Sequence, residues 1–261
     1  MGDVVMLKKA IAVVTSGGDS PGMNAAARAV VRTAIYEGVE VYGVHNGYSG
    51  MVHDDIEQLT TRSVSDLIQR GGTFLGTARS KSFMTPEGRK TAFENLRKRN
   101  IEGLVIIGGS LTGGSLLSKE TGMPIVGLPG TIDNDVWGMD YTIGCDTACN
   151  TIVDAINKLR DTASAHRRII LVEVMGRHSG WLAMMSGIAG GAEYILVPEV
   201  AFDLEEISLE LKEMYEAGKR YSIIVVAEGA GSAVEIGKII GEKTEIDTRV
   251  SVLGHIQRGG S

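Results

Sequence analysis

Cysteine is nearly absent: Cys145 and Cys149 are the only two in 261 residues and form no CxxC pair. That leaves no redox motif, and it reads as two packed free thiols in a reducing compartment. Long apolar runs are also missing. None approaches the ~18 residues of a spanning helix, so no membrane partner is expected. The first ten residues, MGDVVMLKKA, lack the apolar core of a secretory leader, and a cytoplasmic location is expected. Basic excess is lacking too. The net charge of −6 argues against nucleic acid as the main partner, although a local basic pocket can still take a small anion. No Gly/Ser/Pro linker and no internal repeat divides the chain. No GKS or GKT completes a Walker A loop, and no GxGxxG follows the first strand.

Glycine, by contrast, is abundant, with 35 residues. Many occur as doublets inside motifs, such as Gly17-Gly18, Gly71-Gly72 and Gly108-Gly109. Such doublets suit tight turns and close approach of backbone to a ligand. Short apolar runs predict strands at 11–14, 39–44, 101–107, 124–128, 169–174, 194–197, 221–227 and 250–253. Helical patterns fill 23–36, 63–69, 91–97, 147–162, 182–188, 204–216 and 233–240. This alternation predicts an α/β protein: two similar three-layer α/β/α domains with mostly parallel sheets. Ligands in such folds sit at the carboxyl ends of strands, and the glycine motifs fall there. The expected division is 1–140, 141–253 and a short segment 254–261.

Several strings have residue types suited to phosphate chemistry. Ser16-Gly17-Gly18-Asp19 follows a strand and opens a helix, where free N–H groups attract anions; an ordinary strand-to-helix turn explains it equally well. Asp133 and Asp135 flank Asn134 just past a buried strand. Two carboxylates there suit a base and a metal partner in phosphoryl transfer, although Asp and Asn also build plain turns. Arg79 ends a glycine-rich stretch and could bridge phosphate oxygens. Arg167, Arg168, Arg177, Arg249 and Arg258 lie near strand ends in an acidic protein, a pattern that suits an acidic small molecule. Arg28 and Arg32 share a helix face. His166 and His255 have no metal-ligand spacing.

Taken together, the strings TSGGDSPGMNAA (15–26), GGTFLGTAR (71–79), PGTIDND (129–135), VEVMGRHSG (172–180) and LGHIQRGGS (253–261) resemble the bacterial 6-phosphofructokinases. The resemblance implies a glycolytic transferase that moves the ATP γ-phosphoryl group to the 1-hydroxyl of fructose 6-phosphate, with Mg2+. Residues 1–140 would bind ATP and the metal, and 141–253 the sugar phosphate. By resemblance, Asp133 is the general base and Asp135 lies beside it near the metal. Thr131 and Arg177 join the reacting centre, and Gly18 and Arg79 contact the transferring phosphates. Tyr48, Ser110 and Gly113 match the nucleotide site. Met175, Gly176, Glu228, His255 and Arg258 match the sugar-phosphate site. Arg168 and Arg249 match arginines that reach in from a neighbouring subunit, which implies a homotetramer with shared substrate sites. Arg28, Arg32, Arg160, Glu193 and Lys219 match an allosteric site for ADP or phosphoenolpyruvate. Ala217 and Thr61 depart from the basic residues of that site.

Gly130 precedes TIDND where the pyrophosphate-using branch has lysine, so the ATP branch is expected. NAD kinases and lipid kinases share a glycine-rich loop but not the sugar-phosphate strings. Two departures bear on activity. The family's GGDGS appears here as Gly108-Gly109-Ser110, without the Asp-Gly that includes a metal partner; a true deletion and an omission from the sequence as read both explain it. Family members also continue past LGHIQRGGS, so 254–261 reads as the cut-short start of a segment returning to the first domain. A true deletion would favour a non-catalytic nucleotide-binding homologue.

Overall fold

The computed structural model describes residues 9–261. The reading of the first ten residues as no leader therefore falls almost wholly outside the described part. Chain contacts separate two compact units, one of residues up to Thr131 with Gly260–Ser261, the other Ile132–Gly259.

The first unit contains β1 (Ala10–Ser16), α1 (Met23–Tyr36), β2 (Glu40–Val44), α2 (Gly47–His53), β3 (Ile56–Gln58), α3 (Pro86–Arg97), β4 (Ile101–Gly108), α4 (Thr112–Thr121), β5 (Ile125–Leu128) and the two-residue β6 (Gly130–Thr131). Its main sheet has the order β3-β2-β1-β4-β5. All its pairs are parallel except the edge pair β2–β3. Side chains alternate along β1. Ala10, Ala12 and Val14 face Met51, Ala92, Leu96 and Leu117 from α2, α3 and α4. Val13 faces the other way, onto Met23, Ala27 and Val31 of α1. A period of two in the strand thus meets a helical stripe on each side, and both faces are covered.

The second unit contains β7 (Ile143–Gly144), α5 (Cys145–His166), β8 (Ile169–Val174), α6 (Trp181–Gly190), β9 (Tyr194–Leu196), α7 (Leu204–Glu216), β10 (Ser222–Ala227), α8 (Ala233–Thr244) and β11 (Thr248–Val252). Its sheet, β11-β8-β10-β9, is entirely parallel. Ile170, Val172 and Val174 pack on α5 and α6, while Ile169 and Leu171 pack on α7 and α8. Cys145 is buried and Cys149 half-buried, both as free thiols, and burial raises the Cys149 pKa.

The expected helix at 63–69 does not form. Asp66 takes a left-handed backbone at φ 54°. The segment closes instead through short turns, Ser63 N–H to Thr60 O and Ser65 N–H to Arg62 O, both at 3.1 Å. Val64 and Leu67 anchor it in the core. No helix among the described residues is long and apolar enough to cross a membrane.

Candidate active site

In the first unit the glycine strings converge on the carboxyl end of β1. Gly17 turns with φ +88°. The Thr77 hydroxyl donates to the Gly17 carbonyl at 2.7 Å, and the Thr15 hydroxyl donates to the Gly76 carbonyl at 2.6 Å. Asn24 on α1 clamps the start of the same loop. Its side-chain amide donates to Arg70 O at 2.8 Å, and its Oδ1 accepts from Phe74 N–H at 2.8 Å. Residues 71–79 are therefore fixed against the first glycine turn, with Gly18 and Arg79 exposed. Those are the surroundings that exposed donors for an anion require.

The β4–α4 connection lies in the same place. Gly108 has φ +154°, and a Cβ there would fall 1.8 Å from the Ser16 carbonyl oxygen, so only glycine fits. The short Gly109-Ser110 turn follows directly. Ser110 Oγ lies 3.2 Å from where a Cβ on Gly17 would be. The Ser110 carbonyl accepts from the Tyr48 hydroxyl at 2.9 Å. Tyr48 is buried, stacks on Phe83 with centroids 4.3 Å apart, and has a pKa raised by burial. Gly113 lies against the Tyr48 ring, where a Cβ would approach to 2.9 Å. Tyr48 and Gly113 thus support the turn from beneath. Thr131 lies close to Gly109.

In the second unit the acidic string is held by Asn134. This residue has φ 50°, donates to Asp140 O at 3.1 Å and accepts from Thr142 N–H at 2.8 Å. The clamp fixes the loop between its two aspartates. It also leaves Trp137 standing 98% exposed at the loop's tip. The Asp133 carboxylate is only 13% exposed, and Arg177 Nε lies 3.9 Å from it. Burial raises the Asp133 pKa, and the Asp135 and Glu228 charges add to this; Arg177 and Arg258 oppose it.

Arg177 follows β8 with φ 52°. Glu228, just past β10, stabilises that turn: its Oε1 accepts from Gly176 N–H at 3.2 Å and Arg177 N–H at 2.7 Å. Sequence reasoning missed Gln257, which is fully buried. Its Oε1 accepts from Met175 N–H at 3.1 Å and its amide donates to Gly254 O at 3.0 Å. This ties the turn bearing His255 and Arg258 to the end of β8. The only hint in the sequence was its place between His255 and Arg258; a glutamine gives no other signal of burial.

Not every expected residue joins this group. Arg168 precedes β8, and Arg249 pairs in register with Ile170 near the same amino end of that strand, opposite the end that Arg177 follows. A six-residue strand spans ~20 Å, so neither arginine reaches the Arg177 turn of its own chain. Elsewhere in the unit, Lys219 pairs with Glu193 at 2.7 Å, and Arg160 Nη1 donates to the Tyr221 hydroxyl at 3.4 Å. Arg28 and Arg32 lie on α1 of the first unit.

No group of three or more His, Cys, Asp or Glu among the described residues could cage a metal. Mg2+ does not need such a cage. It is commonly bound by one or two carboxylates together with phosphate oxygens and water, and the Asp133–Asp135 pair, whose mutual repulsion a cation would relieve, fits that pattern.

Residues 10–261 match the phosphofructokinase family model. The chain is 62% identical to the ATP-dependent 6-phosphofructokinase of Bacillus pumilus over 255 residues, covering 97% of this chain and 80% of that protein. The Bacillus subtilis enzyme of the same name is 60% identical over the same coverage. Among solved structures, phosphofructokinase from Saccharomyces cerevisiae superposes with a TM-score of 0.90 at 42% identity, over 97% of this chain and 39% of that one. A pyrophosphate-dependent phosphofructokinase from Marinobacter aquaeolei shares the fold, with a TM-score of 0.84 at 24% identity, over 96% of this chain and 69% of that one. The chain belongs to the phosphofructokinase family.

Proposed function

We propose that the protein is an ATP-dependent 6-phosphofructokinase of the cytosol, transferring the γ-phosphoryl group of ATP to the 1-hydroxyl of fructose 6-phosphate. The observation that carries this reading is Asp133: a largely buried carboxylate, raised in pKa, with a guanidinium 3.9 Å away. Burial makes a carboxylate a better proton acceptor, and the nearby cation opposes that rise by favouring the ionised form. Asp133 takes the proton as the hydroxyl attacks. Arg177 stabilises charge developing on the transferred group. In the first unit, the Gly18 amide and the Arg79 guanidinium hold donor phosphates. Met175, Gly176, Glu228, His255 and Arg258 bind and orient the sugar phosphate. Mg2+, held by Asp135 and phosphate oxygens, would neutralise charge on the phosphates.

Gly130 favours ATP over pyrophosphate as donor. It is buried, and a Cβ there would lie 3.1 Å from Met23 Cε, so a lysine would crowd that methionine, whereas glycine leaves the space open. Turnover measured side by side with ATP and pyrophosphate at equal Mg2+ tests this; faster turnover with pyrophosphate overturns the donor assignment. A second reading, a non-catalytic nucleotide-binding homologue, is favoured by one observation. The Gly109-Ser110 turn has no acid and lies against Gly17. Nucleotide binding without turnover would establish it.

We further propose a homotetramer in which Arg168 and Arg249 complete a neighbour's sugar-phosphate site. What supports this is their separation from Arg177 by the length of β8. Arg28, Arg32, Arg160, Glu193 and Lys219 would form an effector site for ADP or phosphoenolpyruvate.

A further inference from the structure

The two arginines at the amino end of the second sheet are held together by a residue that no sequence motif singled out. Asp247 ends the α8–β11 connection. Parallel pairing sets Thr248 opposite Ile169 and Arg249 opposite Ile170. The Asp247 carbonyl also accepts from Ile169 N–H at 3.1 Å. The backbone therefore fixes Asp247 beside Arg168. Its carboxylate is divided between the two guanidinium groups. Oδ2 accepts from Arg168 Nε at 2.5 Å, and Oδ1 lies 3.0 Å from Arg249 Nε.

The choice of nitrogen matters. Both contacts use Nε, on the flank of each guanidinium, so the terminal Nη groups of both arginines make no hydrogen bond among the described residues. A fully bidentate pair, such as Arg89 Nε and Nη2 on Glu120 at 2.7 and 2.6 Å, would use up a terminal donor as well; here one carboxylate shared through Nε alone leaves the terminal donors of both arginines for a ligand. Arg249 is 61% exposed and Arg168 26% exposed. The arrangement is thus a two-pronged cationic fork gripped at its base. Without a shared anion the two like charges would repel, and each long side chain would sample many rotamers before meeting a ligand.

We propose that Asp247 is a positioning residue for the sugar-phosphate site: it holds Arg168 and Arg249 as a preformed receptor for one phosphate dianion. This rests on the proposed role of those two arginines. Replacing Asp247 by Asn keeps the shape but weakens the grip, and the arginines must then be ordered at the moment of binding. Immobilising such side chains costs roughly 0.5–1.5 kcal/mol each, equivalent to about 2–12-fold in affinity per arginine.

The test is steady-state kinetics on the full-length protein as D247N, D247E and R249A. D247N should raise KM for fructose 6-phosphate by about 4–150-fold, the product over two arginines. It should leave kcat and KM for ATP within about twofold, the pattern of lost ground-state binding. D247E, which keeps the charge, should recover most of the loss, and thermal melting of both should stay near wild type. A mere stability role would move melting and kcat together and would not separate Glu from Asn. If R249A raises KM for the sugar phosphate while D247N does not, the positioning role is wrong although the arginine pair stands. If R249A leaves that KM unchanged, the arginine assignment fails and the proposal falls with it. A lower KM in D247N would show that Asp247 blocks the fork, the opposite of what is proposed.

Discussion

Asp133 is the residue whose environment makes the sharpest demands. Asp133→Asn should lower kcat by roughly 10²–10⁴-fold, the usual span for a positioned base, with little change in KM for the sugar phosphate; near wild-type kcat would remove the assignment. The sign of its pKa shift gives a second expectation. Burial and the Asp135 charge favour the protonated form, so a base at this position loses its function, as pH falls, at a higher pH than an ordinary carboxylate would. Asp135→Asn removes one of the raising charges. The acid limb of kcat/KM should then move to lower pH, and Arg177→Ala should move it higher. Both can be read from the same pH profile, and a limb that stays fixed in both variants would show that another group titrates.

At the scale of elements, α3 shows how local chemistry sets a boundary. Thr85 caps it, its hydroxyl oxygen accepting from Gly88 N–H at 3.1 Å, and Pro86 occupies the first turn. Thr85→Ala should cost ~1 kcal/mol of stability in thermal or denaturant unfolding and leave turnover unaltered. The apolar pattern had placed this helix at 91–97, because its first turn, Pro-Glu-Gly-Arg, contains nothing hydrophobic. The same blindness hid α2 and α4, whose sequences GYSGMVH and TGGSLLSKET are rich in glycine and serine. They are helical because Met51 and Leu117 have a core to enter, which is tertiary information. Strands were easier to read: a run such as IILVEV, buried on both faces, has few other solutions. In the candidate site, the charged residues were legible through their strings. The neutral groups that hold them were not. Asn24 and Gln257 work through backbone atoms dozens of residues away, and Asn134 through Asp140 and Thr142 across its own loop; nothing in their local sequence announces these partners.

At the scale of the whole molecule, the two ends of β8 have different partners. Arg177 belongs to the Asp133 group, whereas Arg168 and Arg249 lie a strand's length away. If a second copy supplies those arginines, mixing Arg249→Ala subunits with Asp133→Ser subunits should restore activity that neither homo-oligomer has, since some sites then receive both intact groups. Hybrids that form without recovery would count against sharing. The Asn134 clamp has an optical consequence as well. The protein has only two indoles. Trp137 is 98% exposed at the tip of the clamped loop, while Trp181 packs edge-on against Tyr141 with centroids 6.0 Å apart. Emission from the former should be red-shifted and open to collisional quenching by iodide. Because it rides on the backbone that also bears Asp133 and Asp135, a ligand that seats against those carboxylates should shield it, turning native fluorescence into a gauge of occupancy that needs no added dye.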